Sequence, residues 1–135
     1  YTPDGWYGSG DIVVRRPDGN LVVAGRDKDM INRGGENVYS VEVENALAAV
    51  PGIAESAVVA VADEVMGEKV GAIVVPAPGS ELTADGIVEA LQGRLADFKI
   101  PQYIVITDQP LPRNPGGKVL KPPLREGTDW GDPLR

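Results

Sequence analysis

Lys118 is the residue whose type and neighbours best suit chemistry on an anion. It follows Gly116 and Gly117, which leave the backbone free to place it. A lysine ammonium is a compact point charge that binds phosphate or carboxylate groups, although most lysines are simply solvated at the surface. The nucleotide-binding phosphate loop does not fit here, because that motif requires Ser or Thr where Val119 stands. Spacing alone leaves both interpretations of Lys118 open.

A second polar segment, residues 25–47, combines alternating charges with a double glycine. Residues 26–29 are Arg, Asp, Lys and Asp, so these side chains can pair locally or contact different partners. Gly34 and Gly35 permit positive φ and a close approach of the backbone to a neighbour or a ligand. This concentration of charge and glycine predicts a functional site or a hinge.

Asp11 and Arg26 each have a structural interpretation. Asp11 either hydrogen-bonds its own backbone in the turn before a strand, or accepts two ribose hydroxyl groups, a role that suits an ionised carboxylate. Arg26 can form a surface ion pair with Asp27 or Asp29, which contributes little to stability. The residues themselves do not decide between the two roles of Asp11.

Composition narrows the classes of function. The net charge of −7 argues against a nucleic-acid partner, because phosphates require a basic surface. A small anionic ligand is still possible near the C-terminus, where basic residues cluster: Arg113, Lys118, Lys121 and Arg125. The sequence has no Cys and no His, which excludes disulfides, thiolate or imidazole metal sites and Ser-His-Asp catalysis. No apolar run approaches the roughly 20 residues that cross a bilayer.

Hydrophobic periodicity predicts the elements that position these residues. A hairpin of strands 12–16 and 21–24 comes first, then a helix that begins at Ser40, strands 57–62 and 70–75, a helix after Thr83, and strand 103–106. Ser40 and Thr83 are predicted N-caps, and Glu42 and Glu44 are predicted to lie on the solvated side of their helix. The predicted fold class is α+β: an N-terminal β-hairpin followed by a small three-stranded sheet with helices covering one face.

Three segments together resemble the last three signature motifs of the adenylate-forming enzymes, the superfamily of acyl-CoA synthetases, luciferases and peptide-synthetase adenylation domains. They are GWYGSGD at 5–11, GRDKDMINRGGENVYSVEVE at 25–44 and LPRNPGGKVLK at 111–121. Their order and intervals match, and the resemblance covers nearly the whole chain. It corresponds only to the C-terminal part of such an enzyme. Ser9 stands where the family usually has Thr, and Pro122–Pro123 predict that the last short helix is shortened or starts there.

The resemblance implies a role for each matching residue. In this family a carboxylate attacks the α-phosphate of ATP, a thiol then displaces AMP, and the C-terminal domain rotates between the two steps. Lys118 matches the lysine that bridges the carboxylate and the α-phosphate, and Lys28 matches the hinge. Asp11 matches the ribose-binding aspartate, with Arg26 matching the arginine beside it.

Further residues match the segment that lines the thiol tunnel after rotation. They are Gly34, Gly35 and Glu36, and Asn37 falls where relatives carry a polar residue near the adenylate. The implied domains are 1–27, a hairpin that ends a large N-terminal domain; 28–127, the C-terminal lid; and 128–135, a flexible tail. The missing N-terminal domain is the implied partner.

The resulting expectation is the C-terminal lid of a cytoplasmic acyl-CoA synthetase that uses ATP, Mg²⁺ and CoA. A fatty acid is the favoured substrate, with an aromatic acid as the alternative, and the magnesium ligand and acyl pocket are expected upstream of this chain. The fragment alone is expected to be inactive. Two other functions stay open: an adenylation domain that loads a carrier protein, and a non-catalytic, stand-alone α+β binding module.

Overall fold

A computed structural model describes residues 3–5, 8–26 and 29–134, and for residues 24–26 the backbone only. The strands are β1 Asp11–Arg15, β2 Leu21–Arg26, β3 Met30–Arg33, β4 Glu36–Tyr39, β5 Ile53–Asp63, β6 Gly67–Pro76 and β7 Tyr103–Ile106. The helices are α1 Ser40–Ala48, α2 Ala84–Leu91, the 3₁₀ turn Asp97–Lys99 and α3 Lys121–Gly127. The predicted α+β fold class is confirmed.

The strands β1 and β2 form the predicted hairpin as a separate two-stranded antiparallel sheet. The turn between them is closed by the Gly19 N–H, which donates to the Arg16 carbonyl at 2.9 Å. Several apolar side chains of this hairpin are exposed in the chain: Val13, Val14, Leu21, Val22 and Val23. Its apolar surface is therefore not used by the core of the rest of the chain.

The main sheet has five strands, not the predicted three. Its centre is β6, which pairs antiparallel with β5, parallel with β7, and with β3 through Arg33 opposite Gly67. The added pair is the β3–β4 hairpin, where the sequence predicted a functional site or a hinge but no strand. Its turn is formed by Gly34 at φ 58° and Gly35 at φ 88°, the conformation of a type I′ two-residue turn. Both strands have only four residues and carry polar side chains, so no apolar alternation marked them.

The larger core lies between the sheet and the two longer helices. Alternate residues of β5 and β6 face α1 and α2, as expected from the twofold period of a strand. The buried side chains at this interface include Val43, Leu47, Val58, Val70, Val74, Ile87 and Leu91. The predicted stripe of α1 is therefore confirmed. The periodicity of Ile87, Leu91 and Leu95 predicted a longer α2, but this helix ends at Leu91, and Leu95 lies beyond it, partly buried against the core.

Helices cover both faces of the sheet, which corrects the prediction of one covered face. A smaller cluster on the second face contains Ala57, Ile73 and Leu111, with Leu124 of α3 and Trp130 packed against it. The segment from residue 128 was expected to be a flexible tail. Here the Trp130 ring lies edge-on to Tyr103, with centroids 6.2 Å apart. One tryptophan in a polar segment has no periodicity, so the sequence did not show this contact.

Of the two predicted N-caps, one is confirmed and the other is wrong. Thr83 is confirmed, since its hydroxyl accepts the Gly86 N–H at 3.1 Å. Ser40 is wrong: Tyr39 occupies the cap position of α1, and Ser40 is the buried first residue of the helix. The prediction for α3 is confirmed, because its prolines lie in the first turn. In the part of the chain that the structure describes, no helix is both long and apolar enough to cross a membrane.

Candidate functional site

Lys118 lies in a tight hydrogen-bonded turn rather than on a free arm. The Lys118 N–H donates to Asn114 Oδ1 at 3.0 Å, and its carbonyl accepts the Asn114 N–H at 2.9 Å. Gly117 has φ 89°, and its N–H donates to the Asn114 carbonyl at 2.9 Å. The glycine therefore closes the turn, since an L side chain is strained at that φ, and the turn fixes where the Lys118 side chain begins.

The four basic residues near the C-terminus differ in their partners. Three form ion pairs with carboxylates: Arg113 with Glu55, Lys121 with Glu44, and Arg125 with Glu68. Lys118 is exposed, and within the described part of the chain its ammonium has no hydrogen-bond or ion-pair partner. Pairing neutralises the other three cations, so Lys118 is the one available to an external anion.

A groove of about 570 Å³ runs beside this turn, lined by residues of β5 and α3. Lys118, Lys121 and Arg125 are among the residues that line it, and so is Asp29. The fold thus brings the Lys118 turn close to Asp29, the residue that follows Lys28. Lys28 itself, the predicted hinge, lies outside the described residues.

Asp11 and Arg26 are brought together by the first hairpin. They are directly opposite each other in the β1–β2 register, although the Arg26 side chain lies outside the description. The Asp11 N–H donates to the Ser9 hydroxyl at 3.3 Å. The backbone therefore places this predicted pair at one end of the hairpin.

Gly34 and Gly35 form the tip of the second hairpin, and their surroundings differ. The Gly34 N–H donates to the Met66 carbonyl at 2.7 Å, and a Cβ at Gly34 would lie 2.7 Å from Met66 Cε. A Cβ at Gly35 would meet no heavy atom within 4 Å. Glu36 faces Arg33 at 4.0 Å, and Asn37 lies opposite Asn32 in the register. Gly35 is thus the glycine whose bare backbone faces open space.

The turn that contacts this tip is held by Asp63. Its Oδ1 accepts the Met66 N–H at 2.7 Å and the Val65 N–H at 3.0 Å, and Lys69 Nζ lies 3.2 Å from its Oδ2. The Met66 hydrogen bond, with help from Lys69 and Val65, holds the pKa of Asp63 below its usual value against a smaller opposing effect of desolvation. The tip therefore rests on a turn fixed by a carboxylate that is ionised at neutral pH.

Sequence reasoning missed the ion pairs that the two glutamates of α1 form. Glu44 is half-buried and bonded to Lys121, rather than solvated, and Glu42 forms an ion pair with Lys99. The Lys121–Ser40 contact joins residues 81 positions apart. No local pattern can reveal a pair at that separation. No three Cys, His, Asp or Glu side chains among the described residues are grouped so that they could hold a metal ion.

Known proteins resemble this chain over most of its length. Residues 42–118 match the family model described as the AMP-binding enzyme C-terminal domain. The chain is 47 % identical over 127 residues to a salicylyl-CoA synthase / salicylate adenylyltransferase from Streptomyces sp, which covers 93 % of this chain and 23 % of the relative. It is 45 % identical over 123 residues to the long-chain-fatty-acid–CoA ligase FadD13 of Mycobacterium tuberculosis, which covers 91 % and 24 %.

A solved structure contains a region with the same fold. The crystal structure of ATP-bound MatB from Rhodopseudomonas palustris superposes with a TM-score of 0.85 at 38 % identity, over 94 % of this chain and 25 % of that chain. This chain therefore spans about a quarter of the length of the relatives it matches. The family match, the relatives and the shared fold show that the chain belongs to the AMP-binding enzyme C-terminal domain family, the C-terminal domains of the adenylate-forming ligases.

Proposed function

We propose that this chain is the C-terminal lid of an acyl-CoA synthetase, which converts a fatty acid, ATP and CoA to acyl-CoA, AMP and pyrophosphate. The observation that carries the proposal is that the Lys118 ammonium is exposed and unpaired in the described chain. It is exposed on a hydrogen-bonded turn, and among the four clustered cations it is the one without a carboxylate partner in the described chain. A mobile lid needs such a charge, because it must act on an anion that another domain holds.

Lys118 acts in the first step of the proposed reaction. A carboxylate oxygen of the acid bonds to the α-phosphorus of ATP, and the bond from that phosphorus to the pyrophosphate oxygen breaks. Negative charge crowds at this centre, and the Lys118 ammonium stabilises it when the lid is closed. In the same proposal the Asp11 carboxylate accepts the ribose hydroxyl groups, with Arg26 beside it.

The second step uses another part of the lid. The thiol of CoA attacks the acyl carbon and AMP leaves, after a rotation that we propose takes place at Lys28. Gly34, Gly35 and Glu36 then line the thiol tunnel, with Asn37 near the adenylate. Support for this role comes from Gly35, where a side chain would meet open space rather than this domain's own atoms.

The remaining parts of the reaction are proposed to come from outside this chain. A preceding N-terminal domain is the partner, and it would cover the exposed apolar side chains of the first hairpin. Mg²⁺ would be held there with the ATP phosphates. The proposal includes a cytoplasmic location. It includes no nucleic-acid partner, in keeping with the net charge of −7.

The acid is proposed to be a fatty acid, with an aromatic acid as the second candidate. Similarity to the long-chain-fatty-acid–CoA ligase favours the first, and similarity to the salicylyl-CoA synthase favours the second. A full-length protein containing this chain should be tested with dodecanoate and with salicylate. Formation of the CoA thioester would separate a CoA ligase from a domain that loads only a carrier protein.

The two half-reactions test the roles of Lys118 and Lys28. Pyrophosphate release measures the first step, and thioester formation from supplied dodecanoyl-AMP or salicyl-AMP measures the second. We expect Lys118→Ala to lose the first by about 10²–10³-fold, the range for removal of one charge-stabilising group, and to keep the second. Lys28→Pro should do the reverse, because it restricts the hinge. Wild-type behaviour of both variants would contradict the lid mechanism and mean that this chain acts only as a binding module beside the catalytic part of the protein.

A further inference from the structure

The Lys118 turn is joined to helix α1 by a network centred on Lys121. Lys121 Nζ lies 2.7 Å from Glu44 Oε1 and donates to Ser40 Oγ at 3.0 Å. Glu44 Oε1 also accepts the Val58 N–H at 3.0 Å. The loop that carries Lys118 is thereby connected to α1 and, through Glu44, to a backbone group of β5.

This network is more enclosed than a surface ion pair. The side chains of Lys121 and Glu44 are 22 % and 26 % exposed, and Ser40 is buried. Two partners hold the Lys121 ammonium, so it is not available to a substrate. Partly desolvated ion pairs are rarely the best source of stability, because apolar side chains often do as well. Their directional bonds do, however, hold one geometry.

We propose that Lys121 is a positioning residue for Lys118. Lys121 begins α3 three residues after Lys118, so its bonds to Glu44 and Ser40 fix the C-terminal side of the turn. Arg113 fixes the other side, since its Nη1 donates to the Gly117 carbonyl at 2.9 Å while its Nη2 pairs with Glu55. The inference rests on the proposed role of Lys118 in the first half-reaction.

The physical reason lies in the length of the lysine side chain. A flexible four-carbon stem can place its ammonium over a wide volume, so the starting point on the backbone must be held if charge is to reach one phosphate. A misplacement of about 1 Å at a reacting centre can cost on the order of 100-fold in rate. Breaking the Lys121 anchor should therefore weaken the step that uses Lys118 and leave the other step unchanged.

The test uses a full-length protein containing this chain and the two half-reaction assays, with dodecanoate and salicylate as acids. Lys121→Met removes the charge and keeps most of the side-chain length, whereas Lys121→Arg keeps the charge. The matched control is Lys99→Met. Lys99 Nζ pairs with Glu42 on the same helix at 2.9 Å, and its side chain is also 22 % exposed. It lies in the 3₁₀ turn Asp97–Lys99, and its partner Glu42 does not belong to the segment that carries Lys118.

We expect Lys121→Met to slow pyrophosphate release by roughly 10–100-fold and to leave thioester formation from a supplied adenylate unchanged. Lys121→Arg should recover most of the loss, and Lys99→Met should show no selective loss of either step. Because Lys121 acts through Lys118, adding Lys121→Met to Lys118→Ala should cause little further loss, the non-additivity expected of residues that act as a unit.

Other outcomes separate the inference from the proposed function. If Lys118→Ala loses the first step selectively but Lys121→Met slows both steps equally, or matches Lys99→Met, Lys121 is only structural and the inference falls. An additive loss in the double variant would overturn it as well. If Lys118→Ala itself spares pyrophosphate release, the role of Lys118 is wrong, and the positioning role falls with it.

Discussion

Trp130 provides a direct test of how the C-terminal segment packs. Its ring meets Tyr103 edge-on at a centroid distance of 6.2 Å and an interplanar angle of 66°. It also lies over Gly71, where a Cβ would come within 2.9 Å of two Trp130 ring atoms. Replacing a fully buried Trp or Phe by Ala costs about 3–5 kcal/mol. Trp130 is half-buried, so we expect Trp130→Ala to lower the free energy of unfolding by about half of that, roughly 2 kcal/mol.

Urea unfolding of the 135-residue chain, followed by far-UV circular dichroism, measures this change. A loss of that size corresponds to a fall in Tm of roughly 6–10 °C for a chain of this length. Trp130→Phe is the matched variant. It keeps an aromatic ring against Tyr103 and removes a buried Nε1–H that has no hydrogen-bond partner among the described residues, so it should retain most of the stability.

Val65→Ala is the control for the loss of an apolar side chain without packing, since Val65 is 90 % exposed. It should change the free energy of unfolding by less than about 0.5 kcal/mol. A change as small as that for Trp130→Ala would refute the packing contact. The segment from residue 128 would then be the flexible tail that the sequence predicts.

Two further predictions concern the core and the turn beside the Gly34–Gly35 tip. Leu47→Ala should lower the free energy of unfolding by about 2–5 kcal/mol, because Leu47 is fully buried in α1; Val41→Ala, at a residue 39 % exposed on the same helix, should cost much less in the same urea titration. The pKa of Asp63 is lower in the folded state than its usual value of 3.8. Its carboxylate therefore stabilises the folded state fully at pH values above 3.8, and this stabilisation is lost as the pH falls through the pKa of the folded state. Asp63→Asn should therefore be less stable than wild type at pH 7, with the difference narrowing below about pH 3.8; a difference that is independent of pH would contradict this.

Local patterns predicted the elements whose side chains repeat regularly. The buried residues of α1 and α2, the apolar runs of β5 and β6, and the pairing of β1 with β2 all depend on residues that are close along the chain. The first turn of α3 followed from its prolines, and the cap at Thr83 from one hydroxyl. Such features depend on neighbours along the chain, so a sequence is enough to find them.

Pairing over long separations was not predictable in this way. The short strands β3 and β4 form because Gly34 and Gly35 close a turn, because Arg33 pairs with Gly67 of β6, and because Ile31 and Val38 are buried in the core. The second covered face of the sheet depends on residues after 110 returning to it. Neither arrangement leaves a period in the sequence, since each is decided by which surfaces remain to be buried once the main core has formed.

The same distinction between local pattern and tertiary contact applies to the candidate site. The sequence by itself determined which residues can do chemistry: a lysine after two glycines, an aspartate before a strand, and a polar double-glycine segment that resembles known motifs. Only the tertiary structure decided that Lys118 differs from the three cations near it. Carboxylates from α1, β5 and β6 reach those three and neutralise them, whereas the turn holds Lys118 where no carboxylate of the described chain pairs with it. Charge in a sequence is a property of each residue, but its availability depends on which opposite charges the fold brings near.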